Sequence, residues 1–211
     1  MFKSKSKFKS NKCGPCPDKP CCAKANTPPD LIRRKVLKLG LMVSLLSPVP
    51  AFAGRKPTKM RPQKEDQLVF AFGERKGEII HPGDLVLGAA PVVAFPKDMQ
   101  LNIVRDRSRL NQLLLLRLEQ DSLSSAMAPY NLDGLVAYSA VCTHTGCTVE
   151  GWDGAIQRIV CPCHGSQFDV TKAATVVAGP APKPLAMLPL KIEGDALVVA
   201  GGFSRKVGFK R

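Results

Sequence analysis

The chain has 211 residues, 45% hydrophobic and 6% aromatic, with a formal charge of +14. Residues 1–64 hold 16 Lys/Arg against 2 Asp/Glu, a surplus of 14, whereas residues 65–211 hold 15 of each. The basic excess thus belongs to the N-terminal third, and a neutral body poor in aromatics argues against a nucleic-acid partner.

Residues 1–12, MFKSKSKFKSNK, are Lys/Ser-rich with no apolar period, so they are expected to be disordered. Cys13, Cys16, Cys21 and Cys22 follow among Lys and Pro. Cys13-Gly-Pro-Cys16 has the form of a redox CxxC but lacks the βαβ setting such a site needs. The choice there is between a small zinc clip and an incidental leader, and the setting favours the leader. In 32–54, Arg33 and Arg34 precede Val36-Leu37-Lys38, an apolar run and Ala51-Phe52-Ala53. This order is similar to a twin-arginine export signal. The run from Leu39 to Ala53 has only 15 residues and contains Pro48 and Pro50. A spanning helix needs about 20, so cleavage after Ala53 is expected, with retention as an anchor as the alternative. Export of a folded chain suits a cofactor inserted in the cytosol, and the destination is a periplasmic, oxidising space or the outer face of the inner membrane.

The expected organisation is a leader and signal at 1–53, a linker with the first strand at 54–80, and a domain at 81–211. Residues 54–67 read as a polar linker. QLVFAF (67–72) is an expected strand, HPGD (81–84) a turn that holds His81, and LVLGAAPVVAF (85–95) two short strands around Pro91. NQLLLLRLE (111–119) is an expected buried strand, DSLSSAMAPYN (121–131) a loop or single helical turn, and LVAYSAV (135–141) an alternating strand leading into Cys142. Residues 147–161 predict a hairpin turning at Asp153-Gly154, with Trp152 beside the turn, and 189–202 a second hairpin turning at Glu193-Gly194-Asp195. The expected class is all-β, with many short antiparallel strands.

Two of the three histidines and four of the eight cysteines fall within residues 142–164. They form C-x-H-x2-C (Cys142, His144, Cys147) and C-x-C-H (Cys161, Cys163, His164), separated by a hairpin that sets the two loops facing each other. Soft ligands this dense point to a metal. With Cys142, His144, Cys161 and His164 as ligands, each loop gives one thiolate and one imidazole, and Cys147 and Cys163 are left over. A Cys2His2 zinc site uses the same four residues but leaves the spare cysteines unexplained. A nucleophilic Cys163 beside His164 is disfavoured because adjacent residues on a loop usually point apart.

The sequences C-T-H-T-G-C and C-P-C-H-G-S resemble the signature of disulfide-bearing Rieske iron–sulfur proteins, and GPAPKPL (179–185) resembles their proline-rich loop. The resemblance runs from about Asp84 to Gly202, with the cluster part at about 138–185. It implies Rieske-type antiparallel β-sheets with a cluster-binding subdomain of two loops plus a Pro loop. It also implies one [2Fe–2S] cluster per chain, with Cys142 and Cys161 on one iron, His144 and His164 on the other, and a Cys147–Cys163 disulfide. Imidazole donates less charge than thiolate, so the His-bound iron is the more easily reduced. By the same resemblance Ser166 hydrogen-bonds a bridging sulfide, Pro180 belongs to the covering loop, and Phe168 replaces a tyrosine that bonds a ligand sulfur. The expected potential is then below that of a Ser/Tyr member.

The resemblance implies an electron-transfer subunit of a bacterial respiratory oxidoreductase. One expected parent is a membrane cytochrome b/c-type complex, passing electrons from quinol to a c-type cytochrome. The other is a periplasmic molybdenum oxidase resembling arsenite oxidase, and an orphan soluble carrier is a third. A Rieske oxygenase is excluded because its mononuclear iron needs two further histidines and only His81 remains.

Overall fold

The computed structural model describes residues 56–209. The leader, Cys13 to Cys22 and the twin-arginine segment lie outside them. Eleven strands and several 3-10 turns make up the described residues, and none of their helices is long and apolar enough to cross a membrane. The strands are β1 (Gln67–Phe70), β2 (Val92–Asp98), β3 (Ile103–Val104), β4 (Leu113–Arg117), β5 (Leu135–Ser139), β6 (Gly151–Asp153), β7 (Arg158–Val160), β8 (Gln167–Asp169), β9 (Thr175–Ala178), β10 (Leu190–Glu193) and β11 (Ala196–Val199).

Seven strands form one antiparallel sheet in the order β10-β11-β1-β2-β4-β5, with β3 paired to β2. The outer strand β5 does not present a bare edge. Ser139 N donates to Ala186 O at 2.8 Å and Leu188 N to Ala137 O at 3.0 Å, so the segment entering β10 covers β5. The sheet thereby closes on itself, which removes an exposed edge. Strands β6-β7-β8-β9 form a second antiparallel sheet.

Leucine 113–116 shows how the two sheets meet. Leu113 and Leu115 point into the closed sheet with Leu68, Ile80, Ala137, Leu188 and Leu197. Leu114 and Leu116 point the other way, against Tyr138, Ile159, Cys161 and Phe168. An unbroken apolar run therefore replaces alternation, because both faces of β4 are covered. Buried Tyr138 on β5 fixes the junction by donating its hydroxyl to Val170 O, just past β8, at 2.6 Å.

The structure corrects several expectations. Residues 85–91 form no strand, since Gly88 takes φ +70° and Pro91 interrupts the chain; a lone bridge from Leu87 to Arg117 is their ladder contact. The first hairpin turns through residues 154–157 rather than a two-residue Asp153-Gly154 turn, with Gln157 at φ 50° and Asp153 Oδ1 accepting from Ala155 N. The second hairpin turns at Gly194-Asp195 as expected, with Glu193 paired to Ala196. His81 is a turn residue. It caps the 3-10 turn Pro82–Asp84, and its Nδ1 lies 2.7 Å from Asp195 O. The first strand is interior to the sheet, between β11 and β2, and so is part of the same body as the strands that follow.

The stretch read as a polar linker is fastened down. Arg105 and Asp66 are each 3% exposed and paired through Nε–Oδ2 at 2.7 Å and Nη2–Oδ1 at 3.0 Å. Arg105 also reaches Asp98 at 3.0 Å and the Pro57 carbonyl at 3.1 Å. Asn111 donates to Met60 O at 2.6 Å, and Arg107 N to Thr58 O at 3.1 Å. Removing one partner of such a buried pair leaves an uncompensated charge, at a cost of about 3–5 kcal/mol. Asp66→Ala is expected to lose that much in urea unfolding, and Asp66→Leu/Arg105→Met to recover most of it. A loss below 1 kcal/mol, roughly that of an exposed pair, would show that the strap is not held this way.

Candidate metal centre

Both loops of the candidate centre are closed in the same manner. Cys142 N donates to Cys147 O and Cys161 N to Ser166 O, each at 2.8 Å and each spanning five residues. The fourth residue after each first cysteine is a glycine with positive φ, Gly146 at 82° and Gly165 at 67°. That left-handed turn, open to glycine at little cost, brings each loop back on itself. The disulfide Cys147–Cys163 joins the loops.

Burial separates the four candidate ligands into two kinds. Cys142 and Cys161 are free thiols, each 1% exposed, in the core between the sheets. His144 is half-buried and His164 exposed. The rings approach edge to face, centroids 4.7 Å apart, with their Nδ1 atoms 3.3 Å from each other. Two sulfurs thus lie inside and two nitrogens converge outside. Burial pushes the Cys142 thiol up; the His144 backbone N–H at its sulfur pulls it down, the adjacent Cys161 pushes it up, and the Ser166 hydroxyl pulls it down. A cation that takes the proton's place relieves this penalty, as metal binding to thiolates does. The sulfurs of Cys147, Cys161 and Cys163 also gather within 4.8 Å, but two of these are used in the disulfide.

The Pro-rich segment 179–185 is bound to both loops. Thr143 Oγ1 donates to Lys183 O at 2.6 Å, and Ser166 Oγ accepts from Ala181 N at 3.1 Å. Gly179 backs directly onto the second loop: a Cβ there would stand 2.5 Å from Ser166 Cα and 2.8 Å from Ser166 N. Pro180 itself is exposed, and its neighbours Gly179 and Ala181 make the contacts to Ser166. Phe168 is fully buried in the cluster of side chains that includes Cys142 and Cys161. Trp152, on β6, packs against the edge of that cluster.

Sequence reasoning missed Thr143, Gly146 and Gly179. The signal for the glycines was present, since Gly146 adjoins a motif cysteine and Gly179 opens the Pro loop. Nothing in the sequence pairs the Thr143 hydroxyl with residue 183, because that bond spans forty positions. Contacts from the chain end were also missed. A Cβ on Gly146 would stand 2.7 Å from the Phe209 ring and 3.2 Å from Arg109 Nη2, so both side chains lie on the first loop.

Residues 90–189 match the family model of the Rieske [2Fe–2S] domain. The chain carries a Rieske domain, and the cofactor of that domain is a [2Fe–2S] cluster. A "Cytochrome bc1 complex Rieske iron-sulfur subunit" of Streptomyces lividans is 28% identical over 167 residues, covering 77% of this chain and 94% of the relative. The subunit of the same name from Streptomyces coelicolor is 28% identical over the same length, but there the chain spans only 45% of the relative. A respiratory nitrate reductase Rieske subunit of Haloferax mediterranei is 40% identical over 97 residues, covering 45% of this chain and 43% of the relative. Among solved structures, a chain of a "Hyperthermophilic respiratory Complex III" is 21% identical with a TM-score of 0.44, covering 79% of this chain and 99% of that one. The two buried thiols, the two converging imidazoles and the disulfide that uses Cys147 and Cys163 fit the cofactor this domain implies.

Gly179 gives a direct test of the third wall. Backbone atoms cannot swing aside, so Gly179→Ala meets both an overpacked contact, about 1–3 kcal/mol, and a strained φ of +81°. Gly194→Ala, at φ +61° with open space around it, carries strain alone. Thermal unfolding is expected to show the larger loss for Gly179→Ala; equal losses would mean that the Pro loop does not sit on Ser166.

Proposed function

We propose that the chain is the iron–sulfur subunit of a bacterial respiratory complex, carrying electrons from quinol toward a c-type cytochrome on the outer face of the inner membrane. The observation that carries this reading is the division of donors within one clamped centre, two thiols inside and two imidazoles at the surface. The names of the Streptomyces relatives support the parent complex.

In this reading Cys142 and Cys161 bind one iron and His144 and His164 the other. When bound, the cluster supplies reversible one-electron transfer at a potential above that of all-cysteine clusters. The chain's own residues set the conditions. The core packed around Cys142 and Cys161 keeps water from the sulfurs, and Ser166 offers its hydroxyl to Cys142. The Nδ1 atoms of the imidazoles face each other, which leaves each Nε2 to hold a proton near a hydrogen-bonding donor such as quinol. The disulfide and the Pro loop keep the two loops at fixed separation. The basic leader with its twin-arginine pattern is the proposed export signal.

Native membranes solubilised in mild detergent test the parent. Copurification of this chain with b- and c-type cytochromes is the expected result. A soluble form that copurifies with a molybdenum oxidase would contradict this parent and point to the second one.

Phe168 lowers the expected potential because a phenyl ring gives the sulfurs no hydrogen bond. A hydroxyl added by Phe168→Tyr contributes about 1 kcal/mol, equivalent to about 40 mV for one electron. The midpoint of that variant is expected to rise by this amount in a redox titration; an unchanged midpoint would contradict the role given to position 168.

A further inference from the structure

Beside His144 lies a cleft of about 320 Å³ between the Pro loop and the last described residues. Thr143 and His144 form one wall, Lys183 rises from the Pro loop, and Arg205, Lys206 and Phe209 close the other side. Its volume falls in the range of recognition pockets, about 300–1,000 Å³. A second, shallower cavity adjoins it, sharing Lys206 and Phe209 and adding Arg109. No Asp or Glu lines either one.

Elsewhere Arg75 pairs with Glu78 and Asp84, Arg105 with Asp66 and Asp98, Lys172 with Asp169, and Lys191 with Glu65 and Glu193. Among the described residues, Arg109, Lys183, Arg205 and Lys206 have no carboxylate partner. Residues 65–211 carry equal numbers of acids and bases. Lys59, Lys76 and Lys97 also make no ion pair, but these four cations line one cleft and its neighbour beside His144, with no acid between them. The cleft also has an apolar surface, from Phe209 and the prolines of the Pro loop. An apolar centre ringed by charge is the composition of a protein-docking surface whose charges steer encounter.

We propose that this cleft receives the carboxylate-bearing face of the protein with which the centre exchanges electrons, so that the partner docks against the His144 side of the first loop. The inference rests on the reading that His144 and His164 are the outward ligands. The cations act before contact: at low ionic strength they orient an acidic partner toward the imidazoles, and this advantage fades as salt shortens the screening length. The apolar surface and Phe209 then supply close contact. A neutral or basic partner gains nothing from the arrangement.

The test uses the holoprotein and two probes. The first is a fluorescein-labelled hexaglutamate peptide, followed by anisotropy at low salt. The cleft variant is Lys183→Gln/Arg205→Gln/Lys206→Gln. The control is Lys59→Gln/Lys76→Gln/Lys97→Gln, which removes the same charge from lysines that make no ion pair. The cleft variant is expected to bind the peptide on the order of tenfold more weakly than the parent, and the control to stay within about twofold. The second probe is electron transfer from the reduced protein, by stopped flow, to ferricyanide, a trianion, and to tris(phenanthroline)cobalt(III), a trication. The cleft variant is expected to slow the first on the order of tenfold and not the second, with an unchanged EPR spectrum.

Equal loss of peptide binding in both variants, or no binding by the parent, would overturn the proposal. So would tight stoichiometric binding of benzoate or phosphate that blocks the peptide, since the cleft would then be a small-anion site. Loss of the cluster's EPR signal in the parent would instead remove the electron-transfer reading while leaving the anisotropy result to stand on its own.

Discussion

Cys142 and Cys161 have to present their sulfurs inside a core that excludes water, while His144 and His164, two and three residues further on, have to remain outside. The rest of the fold serves that requirement. A free thiol at 1% exposure is inert unless something takes its proton, and an imidazole at the surface is an ordinary polar side chain. Set together at one seam, they give a centre with two electronically different ends. The seam exists because β4 and β5 carry apolar side chains on both faces, one set filling the closed sheet and the other supporting the loop-bearing sheet. Two glycines turn the loops, a disulfide joins them, and one further segment is hydrogen-bonded to both.

The same economy governs the region just before the first strand. A polar stretch rich in Lys and Pro would ordinarily be a tether, yet Arg105 reaches across to Asp66 and to the Pro57 carbonyl and holds it against the body. The segment 105–111 that grips the strap also contributes Arg109, which lies on Gly146 of the first loop. Strap, loop and chain end thus meet around one patch, and its charge is not cancelled locally.

Much of this was legible in the residues. The density of Cys and His at 142–164 located the centre, and the run of four leucines identified a strand covered on both sides. Closely spaced turn residues located the second hairpin. What could not be read was long-range. Strands β8 and β9 are three and four residues long and depend on pairing, β8 with β7 and β9 with β8, which leaves them little periodicity of their own. The Ser166–Ala181 and Thr143–Lys183 bonds join residues fifteen and forty positions apart. The strap looked like a linker because its composition is a linker's; the contacts that fix it, such as the buried carboxylate of Asp66 held by an arginine 39 residues away, are long-range. Residues 85–91 looked like a strand from their apolar content, whereas Gly88 and Pro91 prevent pairing.

The unequal grip on the two irons is the claim on which the functional account stands. Pulsed EPR of the reduced protein, made with iron in excess and with nitrogen-15 histidine, reads it most directly. The account predicts a brown protein with two strongly coupled histidine nitrogens. A colourless protein holding a single zinc, or an iron centre with no coupled nitrogen, would contradict it.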